Sequence, residues 1–280
     1  MPCTSWRTGW REGFLKIFDL HVHSDHSSDC DVPMSTMAEA AFRQGLAGLA
    51  FTEHVEWIPE DGATGYLRPT AYFAELETLR VHYGNRFWLL AGAEVGNSHD
   101  YSEEARGFLD AWPWDYVLGS VHWAGDLPGW EPVAFEAGLD RAVARYFQEL
   151  ALLAEQGEYD VLAHFDLVRR DAWSVLGQRL DLTPYRDLIR TALRAVVERG
   201  KGLEINTSAL GQGLEEPLPG LEILRWYREL GGEILVFGSD AHRPEQLASR
   251  FDQARSVALA AGFERLARFQ RRRVVNWIPL

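Results

Sequence analysis

A chain of 280 residues, 46% hydrophobic and 25% charged, can bury a large core and falls outside the compositions of disordered or fibrous chains. The formal net charge of -13 disfavours nucleic acid as a partner, because binders of polyanions carry basic patches that release counterions. Two cysteines, Cys3 and Cys30, provide no disulfide framework, and no run reaches the roughly 18 apolar residues a membrane helix needs; with no apolar signal region in MPCTSWRTGWREGFLK, a cytoplasmic protein away from membranes is expected.

In chain order, the first strand candidate is FLKIFDLHVH (14–23), followed by a helix in PMSTMAEAAFRQG that opens at Pro33 and Ser35 and stops at Gly45. Further apolar runs read as strands: GLAGLAFTEH (45–54), FWLLAGAEVG (87–96), YVLGSVHW (116–123), YDVLAHFD (159–166), GLEINT (202–207) and GEILVFGSDAH (232–242). Amphipathic stretches lie between them. AFEAGLDRAVARYFQELALLAEQG ends at Gly157, TPYRDLIRTALRAVVERG runs from Thr183 to Gly200, and PEQLASRFDQARSVALAAG from Pro244 to Gly262. In the second of these, Leu188, Thr191, Ala192, Ala195 and Val196 share one face by helical spacing. Alternating strands and helices imply parallel strands joined by crossovers, in an open sheet or a closed barrel. All seven runs end in a polar residue: His21 and His23, Glu53 and His54, Glu94, His122, His164, Asn206, and Asp240 and His242. A doubly wound sheet concentrates its site at one switch point, whereas a barrel of this kind gathers residues from many strand ends at one mouth, so a seven-stranded barrel is expected. No linker divides the chain, which reads as a single domain over 1–280 with residues 1–13 as a peripheral extension.

In an extended strand His21 and His23 project to one side about 7 Å apart, close enough to bind one ion together. Six of the nine histidines terminate strand candidates, a clustering that marks a metal site rather than packing. His82, in a helical stretch, and His99, in the loop NSHDYSEE, read instead as surface residues. Imidazole mixed with carboxylate suits zinc, iron or manganese. Six histidines, Glu94, Asp240 and one more acid exceed the four donors of a single tetrahedral ion, so two or three divalent ions are implied.

The ordered set DLHVH, TEH, a lone glutamate in AEVG, GSVH, AHFD and GSDAH resembles the PHP (polymerase and histidinol phosphatase) superfamily of trinuclear metal phosphoesterases, from about residue 18 to 245 and onward helically to the end. WDYVLGSVHW, AHFDLVRR, EINTSAL and GSDAHRPE look like its histidinol-phosphate phosphatase branch, which implies a distorted (βα)7 TIM-like barrel. The resemblance assigns one ion to His21, His23, Glu94 and Asp240, a second to His122 and His164 with Glu94 bridging, and a third to His54, His242 and a residue in the loop after His23. Where many relatives carry a histidine in that loop this chain has Asp29; Asp29 and His26 are rivals, Asp29 being preferred on spacing. TEH stands where relatives often have TDH, and Glu53 reads as a residue that orients a ligand.

Adjacent divalent ions can turn a bridging water into a nucleophile and clamp both oxygens of an in-line displacement. No GxSxG elbow or phosphate-binding GxxxxGK[ST] competes, so the expected reaction is hydrolysis of a small phosphate monoester, with histidinol phosphate as the implied substrate. The phosphate needs cations, and Arg169, Arg170 and then Arg243 are the candidates at the rim. Asp240 or His242 is a candidate to protonate the leaving alkoxide. Glu104 or Asp166 is a candidate for the substrate ammonium, and Asn206 for a hydrogen bond to substrate or ligand. Trp112 and Trp114 are expected to pack between helices and barrel. Three rivals remain: a phosphodiesterase or exonuclease of the same superfamily, an amidohydrolase-type enzyme, which would want a lysine at a strand end, and a barrel that stores metal without catalysis.

Overall fold

The computed structural model describes residues 17–280. Its elements run β1 (Phe18–Val22), α1 (Met34–Gln44), β2 (Gly48–Val55), α2 (Pro69–Tyr83), β3 (Trp88–Gly96), α3 (Ser102–Asp110) and β4 (Tyr116–Ser120). There follow the short hairpin β5 (Trp123–Ala124) and β6 (Leu127–Pro128), then α4 (Leu139–Gln156), β7 (Val161–Leu162), α5 (Val168–Leu176), α6 (Arg186–Glu198), β8 (Gly202–Asn206), α7 (Ser208–Gly211) and α8 (Leu221–Glu229). The chain ends with β9 (Leu235–Gly238), α9 (Phe251–Ala260), β10 (Arg265–Gln270) and β11 (Arg273–Pro279). Seven strands form one parallel sheet in the order β1-β2-β3-β4-β7-β8-β9. The sheet curls until its two edges meet: Val22 bridges Ala241, Asp240 N–H donates to His21 O at 2.9 Å, and His23 N–H to Ala241 O at 2.9 Å. The expected seven-stranded barrel is thus nearly closed.

Period-two alternation sets which side chains enter it. On β3, Leu90 joins the inner apolar cluster while Leu89, Ala91, Ala93 and Val95 join the outer cluster shared with the helices, α2 among them, so Glu94 shares the inner face two pleats above Leu90. Ala50 and His54 on β2, Leu118 and then His122 past β4, and Val236 on β9 follow the same parity. On β1 both Leu20 and His21 turn inward, which strict alternation forbids; a register shift between Asp19 and Val22 supplies the extra half-turn.

Several boundaries differ from the sequence reading. The strand expected over 159–166 pairs only at Val161–Leu162, because His164 takes φ +26° and sends its N–H to Glu204 Oε2 (2.8 Å) instead of along the ladder. The helix expected from Ala134 starts at Leu139, after Gly138 at φ 102° breaks it. The stretch from Pro244 forms a 3-10 turn, and α9 begins only after Ala248 and Arg250 take φ 49° and 60°. On α6 the buried face is Ile189, Ala192, Leu193 and Val196; Thr191 is exposed, its hydroxyl donating to Asp187 O, so the expected stripe lies one residue off.

The C-terminus is also not helical throughout. After α9, β10 and β11 form an antiparallel hairpin whose Ala267 and Phe269 close the barrel floor beneath Phe18, Leu20, Leu90 and Tyr116. Its tight turn is made by Arg271 and Arg272 at φ 50° and 60°, held by Arg271 N–H to Asp115 Oδ1, Arg272 N–H to Asp115 O, and the Arg272 guanidinium on Asp160. Without glycine or asparagine there, the turn leaves no mark in the sequence. Trp114 is buried against Phe73 and Phe108, and Trp112 stacks on Phe73 at 5.3 Å, so both pack as expected. No described helix is long and apolar enough to cross a membrane.

Candidate metal centre

At the C-terminal mouth the strand ends bring six imidazoles and three carboxylates together around Glu94, which is 1% exposed. Glu94 Oε2 lies 3.1 Å from His21 Nε2, 3.5 Å from His23 Nε2 and 3.2 Å from His54 Nδ1, while Oε1 lies 2.8 Å from His164 Nε2 and 3.3 Å from His122 Nε2. One carboxylate therefore spans two groups of imidazoles, as a bridging ligand must. His21 and His23 point their Nε2 atoms at each other (3.1 Å), with Asp240 Oδ1 at 3.7 and 3.4 Å. On the outer side Asp29 Oδ2 sits 3.0 Å from His242 Nε2 and 3.3 Å from His54 Nε2, with His23 completing that group. Of the rivals in the first loop, Asp29 joins the cluster; His26 turns away to Glu75 (3.2 Å) and the edge of Tyr72.

Two members of the cluster carry unfavourable backbone. His164 (φ 26°) and Asp240 (φ 56°) are non-glycine residues in left-handed space, strain that persists only where surrounding bonds hold it, here His164 N–H to Glu204 and Asp240 N–H to His21 O.

The electrostatics follow from crowding. Burial opposes charge on Glu94, but His21, His54 and His122 hold its carboxyl well below the usual range. Burial and the neighbouring His242 and His54 push the His23 imidazole down to about 3. His242 goes the other way: burial disfavours its cation, yet Asp29 and Asp240 raise it to about 9. Burial likewise works against charged His122, but Glu94 and Glu56 raise it well above the ordinary value. Imidazole nitrogens and carboxylate oxygens converge here within 3.5 Å as a dense set of donor atoms, and the nitrogen–carboxylate chemistry suits zinc, iron or manganese. The residues present fit two or three such ions.

The support around the ligands was only partly visible in the sequence. Glu53 accepts hydrogen bonds from Ser24 N–H (3.0 Å), Ser24 Oγ (2.6 Å) and Ser27 Oγ (2.7 Å), and Ser27 Oγ in turn contacts His23 Nδ1 (3.1 Å), so Glu53 orients a ligand through a serine. Glu204 and Glu56, which the sequence reading passed over, contact His21 Nδ1 and His122 Nδ1, each at 2.7 Å. The available signal was position: Glu204 lies two residues before Asn206 on one strand face, and Glu56 two residues after His54. Asn206 is fully buried, its amide on Glu204 (3.1 Å) and its oxygen on Ser208, so it braces the site and has no surface for substrate.

The two arginines part company. Arg170 Nη1 approaches Asp240 Oδ2 (3.4 Å) and Ser208 Oγ (3.3 Å), and with Asp240, His242 and Gln246 it lines a cleft beside the cluster. Arg169 instead pairs with fully buried Asp166 (3.0 Å), Pro217 O (3.3 Å) and Glu216 (3.5 Å), so neither it nor Asp166 is free for substrate. Arg243 and Glu104 are exposed, and neither side chain forms a hydrogen bond or ion pair with the cluster. His99, expected at the surface, has a side chain only 2% exposed, because Glu149 of α4 covers it at 3.0 Å.

A family model, the PHP domain, matches residues 19–208. A histidinol-phosphatase of Lactococcus lactis subsp. lactis (strain IL1403) is 28% identical over 260 residues, covering 91% of this chain and 95% of the relative. A probable histidinol-phosphatase of Clostridium acetobutylicum is 29% identical, covering 86% and 92%. Among solved structures, the histidinol phosphate phosphatase of Lactococcus lactis, crystallised with zinc, L-histidinol and phosphate, superposes with a TM-score of 0.84 at 25% identity, over 93% of this chain and 99% of that one. With the barrel, the strand-end histidines and carboxylates in their expected order and a family match over most of its length, the chain belongs to the PHP domain family.

Proposed function

We propose that this chain hydrolyses L-histidinol phosphate to L-histidinol and phosphate, as a metal-dependent phosphate monoesterase of the cytoplasm. The observation that carries this reading is Glu94 shared between two groups of imidazoles with Arg170 at the edge of the same cluster, in a chain whose near full-length relatives are named histidinol-phosphatases. In the partition that the family resemblance implies, and with which these contacts are compatible, His21, His23, Glu94 and Asp240 would hold one ion, His122, His164 and Glu94 a second, and Asp29, His54 and His242 a third. Bound there, divalent ions supply water activation near neutral pH and neutralise charge on the phosphoryl oxygens.

The chain's own groups do the rest. Arg170 offers a planar guanidinium to phosphate oxygens at the cleft wall, next to Asp240. The side chain of Asp240, 10% exposed, and that of His242, 27% exposed, are the groups within reach to return a proton to the leaving alkoxide. For the ammonium of histidinol, Asp171 replaces Glu104 and Asp166 as the receiving carboxylate. Its side chain is 8% exposed and, among the described residues, forms no hydrogen bond and has only a 3.8 Å ion pair with Arg170; it stands within electrostatic reach of His164 and His122. A buried carboxylate so poorly satisfied gains most from a cation delivered by substrate.

The test is phosphate release from L-histidinol phosphate beside sugar phosphates and an aryl phosphate diester. A large preference for histidinol phosphate is expected, narrowed in Asp171→Asn. Equal monoester rates would reduce the enzyme to a general phosphatase, and faster diester cleavage would overturn the reading.

A further inference from the structure

Of the six clustered imidazoles, His21 and His122 alone rest a ring nitrogen on a carboxylate outside the proposed ligand set. His21 Nδ1 is 2.7 Å from Glu204 Oε1 and His122 Nδ1 is 2.7 Å from Glu56 Oε1, with Glu204 0% and Glu56 3% exposed. The other rings are arranged differently. His54 turns both nitrogens into the cluster, towards Glu94 and Asp29. His23 Nδ1 meets the Ser27 hydroxyl and His242 Nδ1 the Asp240 carbonyl. Among the described residues His164 Nδ1 has no hydrogen-bond partner, and His164 is held through its backbone N–H, again by Glu204.

Each outer carboxylate occupies space that a glycine leaves open. A Cβ on Gly96 would overlap both Glu56 oxygens, and one on Gly238 would overlap Glu204 Oε1 and crowd His21 Cβ at 2.5 Å. Neither glycine has a positive φ. Backbone freedom therefore does not explain them, whereas room for a buried carboxylate does.

We propose that Glu56 and Glu204 are positioning residues that keep the proton of His122 and His21 on Nδ1, leaving each Nε2 lone pair aimed into the centre on opposite arms of Glu94, and that Gly96 and Gly238 are the openings that admit them. An ionised carboxylate only accepts, so Nδ1 must donate and Nε2 is left as the donor atom for an ion. Glu204 does more than Glu56: it also fixes the strained His164 backbone and the Asn206 amide, tying β1, β7 and β8 together. This inference rests on the metal-centre reading above, and the two fail differently. A native protein without bound metal would sink that reading, whereas a metal-loaded protein indifferent to these glutamates would sink this one.

The experiment measures metal content and affinity by chelator competition on wild type, Glu56→Ala, Glu56→Gln, Gly96→Ala and the Gly96→Ala/Glu56→Ala double variant, with the matching Glu204 and Gly238 set. Loss of a supporting carboxylate should weaken one ion by ~10–100-fold. Glu56→Gln, whose amide oxygen still accepts from Nδ1, should lose less. Gly96→Ala should resemble Glu56→Ala, and the double variant should be no worse than either, because alanine fits the space the carboxylate vacates. Losses that multiply in the double variant, or a Glu56→Ala protein with wild-type affinity, would overturn the proposal. Where an alanine variant does not fold, nitrogen NMR of the metal-loaded wild type decides: His21 and His122 protonated on Nδ1 support it, and protonation on Nε2 refutes it.

Discussion

Replacing Arg169 and Arg170 one at a time separates a structural cation from a functional one. Arg169, its side chain 14% exposed, neutralises Asp166, whose side chain is 0% exposed and also accepts from Gly220 N–H at 3.3 Å. Arg169→Ala strands that carboxylate, and breaking a buried pair from one side costs about 3–5 kcal/mol. At roughly 2–4 °C per kcal/mol for a domain of this size, the melting temperature should fall by about 6–20 °C, while kcat of the folded fraction stays near wild type. Arg170 has longer contacts, with Asp240 (3.4 Å) and Asp171 (3.8 Å), and faces the cleft, so Arg170→Ala should cost less stability than Arg169→Ala. Removing a charged donor from the developing charge of a transition state costs about 10²–10³ in kcat, or about 2.7–4 kcal/mol, and that loss is expected here. Thermal melts and phosphate-release kinetics on both variants decide the matter. A stable Arg169→Ala protein with crippled turnover, or an Arg170→Ala enzyme of normal kcat, would refute the division of labour.

Two further outcomes are expected. His122→Ala should nearly silence turnover yet leave circular dichroism unchanged, since its ring lies at the mouth and not among the apolar clusters; an unfolded product would show that the residue serves the fold. Asp29 and Asp240 raise His242 to about 9, so in the metal-free protein this imidazole is charged at pH 7.5, whereas a metal needs it neutral. Adding zinc to chelated protein at pH 7.5 should therefore release protons, and affinity at the outer group should climb until pH passes about 9. In Asp29→Asn the release should shrink; an indicator-dye titration showing equal release in both proteins would contradict the assigned coupling.

The cluster of candidate metal-binding residues was legible because strand periodicity and chemistry converge on the same residues. His21 and His23 sit one pleat apart, and each strand's last inward position carries a nitrogen or oxygen donor, so the order of motifs was enough to expect a barrel with its site at one mouth. Asp29 followed from the family resemblance, by counting to the position where many relatives carry a histidine, with His26 left as its rival. Glu56 and Glu204 did not, because an isolated glutamate after a histidine or inside a strand reads as a solvated charge until another strand's imidazole is placed against it. Arg169 and Arg170 are chemically identical neighbours in sequence; that they begin a helical turn sends one guanidinium to Asp166 and the other to Asp240.

By itself the sequence determined the parallel barrel, the mouth at which its chemistry gathers and the kinds of atom gathered there, since all of these depend on local periodicity and residue type. Tertiary structure alone decided which carboxylate backs which imidazole, which arginine faces the cleft, and that the chain ends in a β-hairpin sealing the floor. Those outcomes depend on contacts between segments as far apart as His21 and Glu204, 183 residues along the chain, whose partnership no local pattern encodes.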